Sequence, residues 1–178
     1  MPIQLADVDR LLAPDFVEGL ESASMEDVRA RRNELEEAET AVSYLRRLVQ
    51  ARIDLIHAEQ RRRSRGESDI HALVEELPSI LSEGGRTPGP GRLPQFVDPG
   101  EMASALTDEI DRVAPPEQMA DLAVLDEAQL GELESALGGL EREVSERRRR
   151  LHERLDAIHE EIIRRYRDGE ANVDTLLR

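Results

Sequence analysis

Apolar residues recur at spacings of three and four over a long stretch of the chain, and this period predicts an α-helix. Ser24 and Asp27 have the spacing of a helix-capping box, and no Pro or Gly follows until Gly66. We expect a helix over 25–64, roughly 60 Å long at 1.5 Å per residue. Its apolar positions form a seam typical of a coiled coil: Leu35, Ala38, Val42, Leu45, Val49, Ile53 and Ile56. A helix with such a seam needs a partner.

A second long helix is predicted from Asp126 to Asp168. Gln129 stands three residues after Asp126, again the spacing of a capping box. Gly138 and Gly139 lie inside this helix, and we expect a bend there, because each glycine costs about 1 kcal/mol relative to Ala. The predicted fold is all-α, with the two long helices paired in a coiled coil.

The segments around the long helices are predicted to be short or irregular. Two apolar clusters near the N-terminus are separated by Pro14, which ends any helix begun before it. They predict either an arm that packs over the core or an arm that docks a partner. We expect one helical domain over 1–178, divided into an N-terminal arm (1–23), a first long helix (24–65), a connector (66–125), a second long helix (126–168) and a tail (169–178).

The connector is expected to contain two short helices and a loop. Apolar residues share one face over 69–82 and predict a helix there, and a second helix is expected over 100–113. Between them, the Gly and Pro density of residues 84–94 predicts a flexible loop. Pro115 and Pro116 then mark a stop and a restart.

Both long helices carry the same polar residues, displaced by 102 positions along the chain. The matching pairs form what we call the polar stripe of each helix: Glu39/Glu141, Ser43/Ser145, Arg46/Arg148, Gln50/His152 and Asp54/Asp156. The apolar seams match in the same register, with Leu45 against Arg147 as the discordant pair. Each stripe spans an arc of roughly 80°, centred about 90° around the helix from its seam. Charged coiled-coil flanks resemble one another, but Ser and Asp are poor helix-interior residues, so the repetition favours a functional site.

The orientation of the helix pair decides whether the two stripes cooperate. A parallel pair places equivalent stripes on opposite faces, whereas an antiparallel pair can bring both to one face. The connector is long enough for either arrangement. If one ligand contacts both stripes, the helices are antiparallel and the ligand has approximate two-fold symmetry, and we expect this antiparallel arrangement.

Composition narrows the classes of function. A formal net charge of -15 argues against direct DNA binding, because phosphate contacts need a cationic face, and suits a basic protein partner. The chain has no Cys, so a disulfide framework and a Cys-based zinc site are excluded, and a cytoplasmic location is the default expectation. No apolar stretch approaches the roughly 20 residues that span a bilayer, so no membrane association is expected. No nucleophile–base pair or phosphate loop is evident, and we do not expect an enzyme.

The residue types of the stripe suit a guanine nucleotide. Arg offers a planar fork for the Hoogsteen edge of guanine or for phosphate, and a carboxylate can accept from the N1–H and N2–H edge. Ser can donate to phosphate. Guanine and phosphate combined with two-fold symmetry describe a cyclic dinucleotide.

The repeated spacing E-x3-S-x2-R-x3-Q-x3-D resembles the signature of the RsiG family of actinobacterial anti-sigma factors. His152 departs from it, standing where the family has Gln. The resemblance implies that the coiled coil binds an intercalated cyclic di-GMP dimer, without a metal. It also implies that the loaded protein sequesters WhiG, a sigma factor of sporulation genes, and represses transcription. The implied ligand-binding residues are Glu39, Ser43, Arg46, Gln50, Asp54, Glu141, Ser145, Arg148, His152 and Asp156.

Other interpretations remain open at this point. The protein could be a structural coiled-coil adaptor whose stripes pair with a partner helix. The arginine runs at 61–63 and 147–150 are interpreted as solvated helix faces, with Arg147 or Arg149 able to reach a ligand phosphate. His57 and His159 each follow a stripe Asp by three residues, but without further ligands we expect a polar helix face there and no metal site.

Overall fold

The computed structural model describes residues 5–66 and 100–169, and these residues form helices without a strand among them. Within these two ranges the α-helices are α1 (Leu5–Leu11), α2 (Met25–Ser64), α3 (Gly100–Val113), α4 (Pro116–Ala120) and α5 (Glu127–Arg167). Short 3-10 helices lie between them, at Pro14–Val17, Leu20–Ser22 and Leu122–Val124. The all-α prediction is therefore confirmed. The predicted helix at 69–82 and the loop at 84–94 lie outside the described residues, as does most of the tail.

Both long helices begin at the capping pairs that the sequence predicts. The Asp27 backbone N–H donates to Ser24 Oγ at 3.1 Å. At α5 the exchange is reciprocal, since the Gln129 N–H donates to Asp126 Oδ1 at 2.8 Å and the Asp126 N–H donates to Gln129 Oε1 at 2.9 Å. These bonds satisfy backbone donors that have no partner inside the first helical turn. The helix bounds consequently lie within one residue of those predicted.

The described residues fall into two compact units, each containing part of both long helices. Unit 1 comprises 44–66 and 100–144, and unit 2 comprises 5–43 and 145–169. In unit 1, Arg46 contacts Glu141 whereas His57, further along α2, contacts Glu134. Residue numbers thus rise along α2 as they fall along α5, so the pair is antiparallel. The grouping of the whole chain as one helical domain stays a prediction.

Unit 2 has the same antiparallel pairing. Glu39 contacts Arg148, and Arg29 near the start of α2 donates to the Tyr166 hydroxyl near the end of α5. Its core combines the seams of both helices with apolar residues of the N-terminal arm, and the buried arm residues are Val8, Leu11, Leu12 and Leu20. The arm is therefore a packing element, as one of the two sequence interpretations expected.

The core of unit 1 is built in the same way from the other halves of the helices. Ile110 and Ala114 occupy the places that Val8 and Leu12 have in unit 2, again displaced by 102 positions, and all four are buried. The seam residues of this unit are also buried, with Ile53 partly exposed: Leu45, Val49, Ile56, Leu137, Leu140 and Val144. The repeat predicted for the long helices therefore extends to the segments that precede them.

We call residues 100–125, which precede α5, the connector arm, by analogy with the N-terminal arm that precedes α2. One arginine holds each arm to a long helix, and the two arginines occupy equivalent positions. In unit 1, Arg52 Nη1 donates to the Ala114 carbonyl at 2.6 Å and the guanidinium pairs with Asp111. In unit 2, Arg154, which corresponds to Arg52, donates to the Leu12 carbonyl at 3.3 Å. Each of these bonds satisfies a backbone carbonyl at the point where the chain leaves a helix.

A buried carboxylate near the end of α2 organises a contact with the segment that precedes α5. Glu59 is 1% exposed and accepts from the guanidinium groups of Arg62 and Arg63. Arg63 also donates to the Leu122 carbonyl at 2.9 Å, in the segment just before α5. The interpretation of 61–63 as a solvated face is therefore wrong for Arg62 and Arg63, whose side chains are 15% and 22% exposed.

Candidate ligand-binding half-sites

Four residues of the predicted site meet in unit 2, and we call this group half-site 2. Arg148 Nε on α5 donates to Glu39 Oε1 at 3.1 Å and to Ser43 Oγ at 2.8 Å on α2. The Ser43 hydroxyl donates to Glu39 Oε1 at 2.6 Å. His152, one turn after Arg148, has its Nε2 at 3.3 Å from the same carboxylate oxygen. Glu39 is the common acceptor of the group.

Three residues of the predicted site meet in unit 1, and we call them half-site 1. Arg46 Nε on α2 donates to Glu141 Oε1 on α5 at 3.1 Å. Gln50 Nε2, one turn further along α2, donates to the same oxygen at 3.5 Å. Glu141 therefore corresponds to Glu39 of unit 2.

Each half-site combines residues from both copies of the motif. In half-site 2 the carboxylate belongs to the first motif and the guanidinium to the second, and in half-site 1 these origins are reversed. The Arg–Glu distance is 3.1 Å in both. This crossing follows from the antiparallel pairing, because a residue near the start of one stripe faces a residue further along the other. The repeat along the chain does not reveal this pairing.

The arginines of the half-sites are more accessible than the carboxylates that they contact. The side chains of Arg46 and Arg148 are 36% and 39% exposed, whereas those of Glu141 and Glu39 are 23% and 20% exposed. Each pair is thus screened by solvent on the guanidinium side, where an incoming anion can reach it. In each half-site the guanidinium is therefore the more solvent-exposed partner, and the carboxylate is the more buried one.

The other predicted members are Asp54, Ser145 and Asp156. Asp54 in unit 1 and Asp156 in unit 2 are exposed, and Ser145 in unit 2 is half-buried. Both aspartates follow the Gln50 or His152 position by one helical turn. They extend each stripe toward solvent without joining the central ion pair.

Glu134 is a polar residue next to half-site 1 that the repeated pattern did not single out. It accepts from His57 Nε2 at 2.8 Å and from Gln60 Nε2 at 3.0 Å. These hydrogen bonds, that of His57 first, lower the pKa of the Glu134 carboxyl below its ordinary value. Glu134 lies seven residues before Glu141, on the same helix face, and this heptad spacing was the available signal.

Arg147 and Arg149, the two arginines that the sequence suggested could reach a ligand phosphate, have different surroundings. Arg147 pairs with Asp9 of the N-terminal arm at 3.1 Å, which gives this discordant seam position a packing role. Arg149 pairs with carboxylates on its own helix and is 59% exposed. Across 5–66 and 100–169, no three His, Asp or Glu side chains are grouped so that they could hold a metal ion.

A family model described as RsiG-like matches residues 14–81 and 116–178, which is well over half of the chain. The chain belongs to the RsiG-like family. RsiG-like proteins are regulators of the anti-sigma-factor type, not enzymes, and the matched residues include both half-sites. None of the curated proteins compared with the chain matches it. Among the described helices, none combines the length and apolar character needed to cross a membrane.

Proposed function

We propose that this RsiG-like protein binds cyclic di-GMP through its two half-sites and, when loaded, sequesters a WhiG-like sigma factor of sporulation genes. The main support is the repeated Arg–Glu pair, at 3.1 Å in both units, with the partners drawn from opposite motifs. The proposed binding residues are the ten of the two stripes: Glu39, Ser43, Arg46, Gln50, Asp54, Glu141, Ser145, Arg148, His152 and Asp156.

The chemistry of guanine fits an exchange of partners at the Arg–Glu pair. Opening the pair leaves a guanidinium and a carboxylate that both need new partners. One guanine supplies both, because its O6 and N7 accept from Arg and its N1–H and N2–H groups donate to Glu. The phosphates of the ligand add acceptors for Ser43 and for the arginines. A nucleotide base without a donor edge would leave Glu39 or Glu141 unsatisfied.

Charge supports a basic protein as the partner of the loaded form. The chain carries a formal net charge of -15, and a bound cyclic dinucleotide adds further negative charge. DNA-reading surfaces of sigma factors are basic, and complementary charge raises both association rate and specificity. Such a partner would place the protein in the cytoplasm.

Titration calorimetry with cyclic di-GMP tests the ligand. We expect binding by the unaltered protein and a loss of affinity of about 100-fold or more in the double variant R46A/R148A, because each substitution removes charge-assisted hydrogen bonds. The variant R167A is the matched control, since Arg167 also lies on α5, has a side chain that is 75% exposed and pairs with its neighbour Asp168. It should bind as the unaltered protein does.

Circular dichroism of each variant separates loss of binding from loss of fold. Absence of heat with the unaltered protein, or equal affinity of R46A/R148A and R167A, would contradict the proposal. The partner is tested separately by co-purification with a WhiG-like sigma factor. Capture should require cyclic di-GMP and should fail with R46A/R148A.

A structural coiled-coil adaptor is the second candidate, and one observation favours it. The Arg–Glu pairs already join α2 to α5 within each unit without a ligand, as purely structural staples would. An adaptor would retain its protein partner in the absence of nucleotide and after the R46A/R148A substitutions. The co-purification experiment therefore distinguishes the two candidates.

A further inference from the structure

The two half-sites differ chemically at one position of the stripe. Gln50 Nε2 lies 3.5 Å from Glu141 Oε1, and His152 Nε2 lies 3.3 Å from Glu39 Oε1. The two side chains thus occupy corresponding places beside the shared carboxylate. An amide keeps its charge state at all physiological pH values, whereas an imidazole gains a proton between about pH 8 and pH 5.

We propose that His152 makes ligand binding at half-site 2 proton-linked, so that the affinity for the anionic nucleotide rises as the pH falls. The inference rests on the proposed binding of cyclic di-GMP and deepens it, because it assigns a pH response to one half-site. Half-site 1 lacks this response, since Gln50 does not titrate.

The surroundings of His152 leave it accessible to both solvent and ligand. Its side chain is 47% exposed. The facing helix α2 presents Glu39 to it, while Glu36, three residues earlier on that helix, lies 3.5 Å from Arg32 and 3.9 Å from His159. These contacts place the imidazole at the edge of the half-site.

The charges on its own helix are balanced. Arg148 lies one turn before His152 and Asp156 one turn after it. Arg149 and Glu153, on the outer flank, pair with each other. The imidazole therefore has one positive and one negative neighbour along the stripe.

The N-terminal arm approaches α5 from the other side. Arg150 and Arg154, which donate to the Leu12 carbonyl, lie about 160° around the helix from His152. Asp9 of the arm is paired with Arg147. The charged groups nearest to the imidazole are therefore those of α2 and of its own helix.

The direction of the effect follows from the charge of the ligand. Cyclic di-GMP carries two phosphodiester anions, and negative charge near an imidazole favours the protonated form. Because linkage is reciprocal, a ligand that favours protonation binds more tightly once the proton is present. The half-exposed position screens the interaction, so we expect a rise of about fivefold between pH 8 and pH 5.5.

Calorimetric titration with cyclic di-GMP at about pH 8 and pH 5.5, at constant ionic strength, tests this inference. Two substitutions exchange the residues of the half-sites. In H152Q both half-sites carry glutamine, and the pH response should fall to the small part that other groups cause. In Q50H both carry histidine, and the response should exceed that of the unaltered protein. Of the four histidines in the chain, the three other than His152 are unchanged in both variants.

Proton uptake provides a second readout. Titration near pH 6.5 in two buffers of different ionisation enthalpy should show protons taken up on binding by the unaltered protein and fewer by H152Q. An identical pH response and proton uptake in the unaltered protein and in H152Q would overturn the inference while leaving ligand binding intact. Absence of binding at both pH values would overturn the proposed function itself, and the inference with it.

Discussion

Glu161 shows how single residues stabilise the junctions of this protein. Its carboxylate is 8% exposed, and the hydrogen bonds from Arg164 and Arg165 lower its pKa to about 2. Arg165 is itself buried and also donates to the Leu20 carbonyl, in the segment just before α2. The ionised carboxylate therefore compensates a buried guanidinium that anchors the start of the other long helix.

Replacing Glu161 by glutamine should lower the free energy of unfolding at neutral pH by about 2 kcal/mol, because it leaves Arg165 without a charged acceptor. Chemical denaturation followed by circular dichroism measures the change. The variant E160Q is the matched control, since Glu160 is the exposed neighbour on the same helix. Equal losses in E160Q and E161Q would contradict the role assigned to the buried carboxylate.

The same pair of variants should respond differently to acid. The folded-state pKa of Glu161, about 2, lies below its ordinary value of 4.5, so its contribution to stability is present above pH 4.5 and is lost as the pH falls toward 2. The difference in unfolding free energy between the unaltered protein and E161Q should therefore shrink over that interval. A difference that stays constant from neutral pH to pH 2.5, in denaturant titrations at each pH, would refute this linkage.

At the residue scale, the repeated stripe indicated which residues to consider but not how they pair. The stripe gave the identities of Arg148 and Glu39 from a repeat, but spacing along one helix does not reveal which residue faces which across two helices. The burial of side chains was harder still to predict. The sequence does not distinguish Arg62 and Arg63 from solvated arginines unless the location of Glu59 is known. The recurrence of E-x2-R-R at 59–63 and 161–165 was the signal for it.

At the scale of elements, the long helices are specified by their ends more than by their interiors. Capping pairs start α2 and α5, and glycines in the left-handed conformation follow their last turns, Gly66 with φ 69° and Gly169 with φ 75°. Inside α5, Gly138 and Gly139 are retained in a continuous helix. The interior glycines weaken an element that the termini and the seam hold in place.

Gly139→Ala should therefore stabilise the protein, by about 0.5 to 1 kcal/mol, since alanine has the higher helix propensity. Apart from its chain neighbours and the backbone of its own helix, no described atom lies within 4 Å of the Cβ that the substitution would add. Gly66→Ala provides the contrast, because its positive φ strains any residue with a Cβ, and it should destabilise by about 1 kcal/mol. Thermal unfolding gives both signs, and a loss of stability in G139A would show that the glycine has another role.

The bounds of these elements were predictable because Pro and Gly are absent from most of their length and capping pairs mark their starts. The bounds of the short helices α1 and α4 were only partly predictable. Pro14 and Pro116 indicated breaks, but the few apolar residues around them do not define a face by period alone. Packing against the long helices fixes these segments.

At the scale of the molecule, two similar units are each built from an arm and two helix halves. The displacement of 102 positions relates the carbonyl contacts Arg52–Ala114 and Arg154–Leu12, and it also relates the capping pairs. In the long helices this repeat is evident from the sequence, whereas in the arms only a few scattered identities accompany it, such as Asp9/Asp111, Arg10/Arg112 and Pro14/Pro116. Ile110 in place of Val8 fills an equivalent core position without resembling a motif.

The arms should loosen unequally when their arginines are removed. Arg52→Ala should raise amide hydrogen exchange across 107–125 several-fold, because it removes both the contact with Asp111 and the bond to Ala114. Arg154→Ala should have a smaller effect on 7–20. Arg150 also donates to the Leu12 carbonyl, at 3.1 Å, and remains in that variant.

Mass spectrometry of peptides from both arms measures the two responses in parallel. Equal exchange in the two variants would contradict the assigned difference in anchoring. Unchanged exchange in R52A would show that apolar burial alone, chiefly that of Ile110, holds the arm.

Because each half-site combines residues from both motifs, the effect of a double substitution depends on whether its two residues share a half-site. Two lesions within one motif, such as E39A with R46A, fall in different half-sites and damage both. Two lesions in different motifs, such as R46A with E141A, fall in one half-site and should behave as a single defect. Compensating changes are accordingly expected between Glu39 and Arg148, and between Arg46 and Glu141. Substitutions should thus covary between the two residues of an ion pair and not between the two equivalent residues of the repeat.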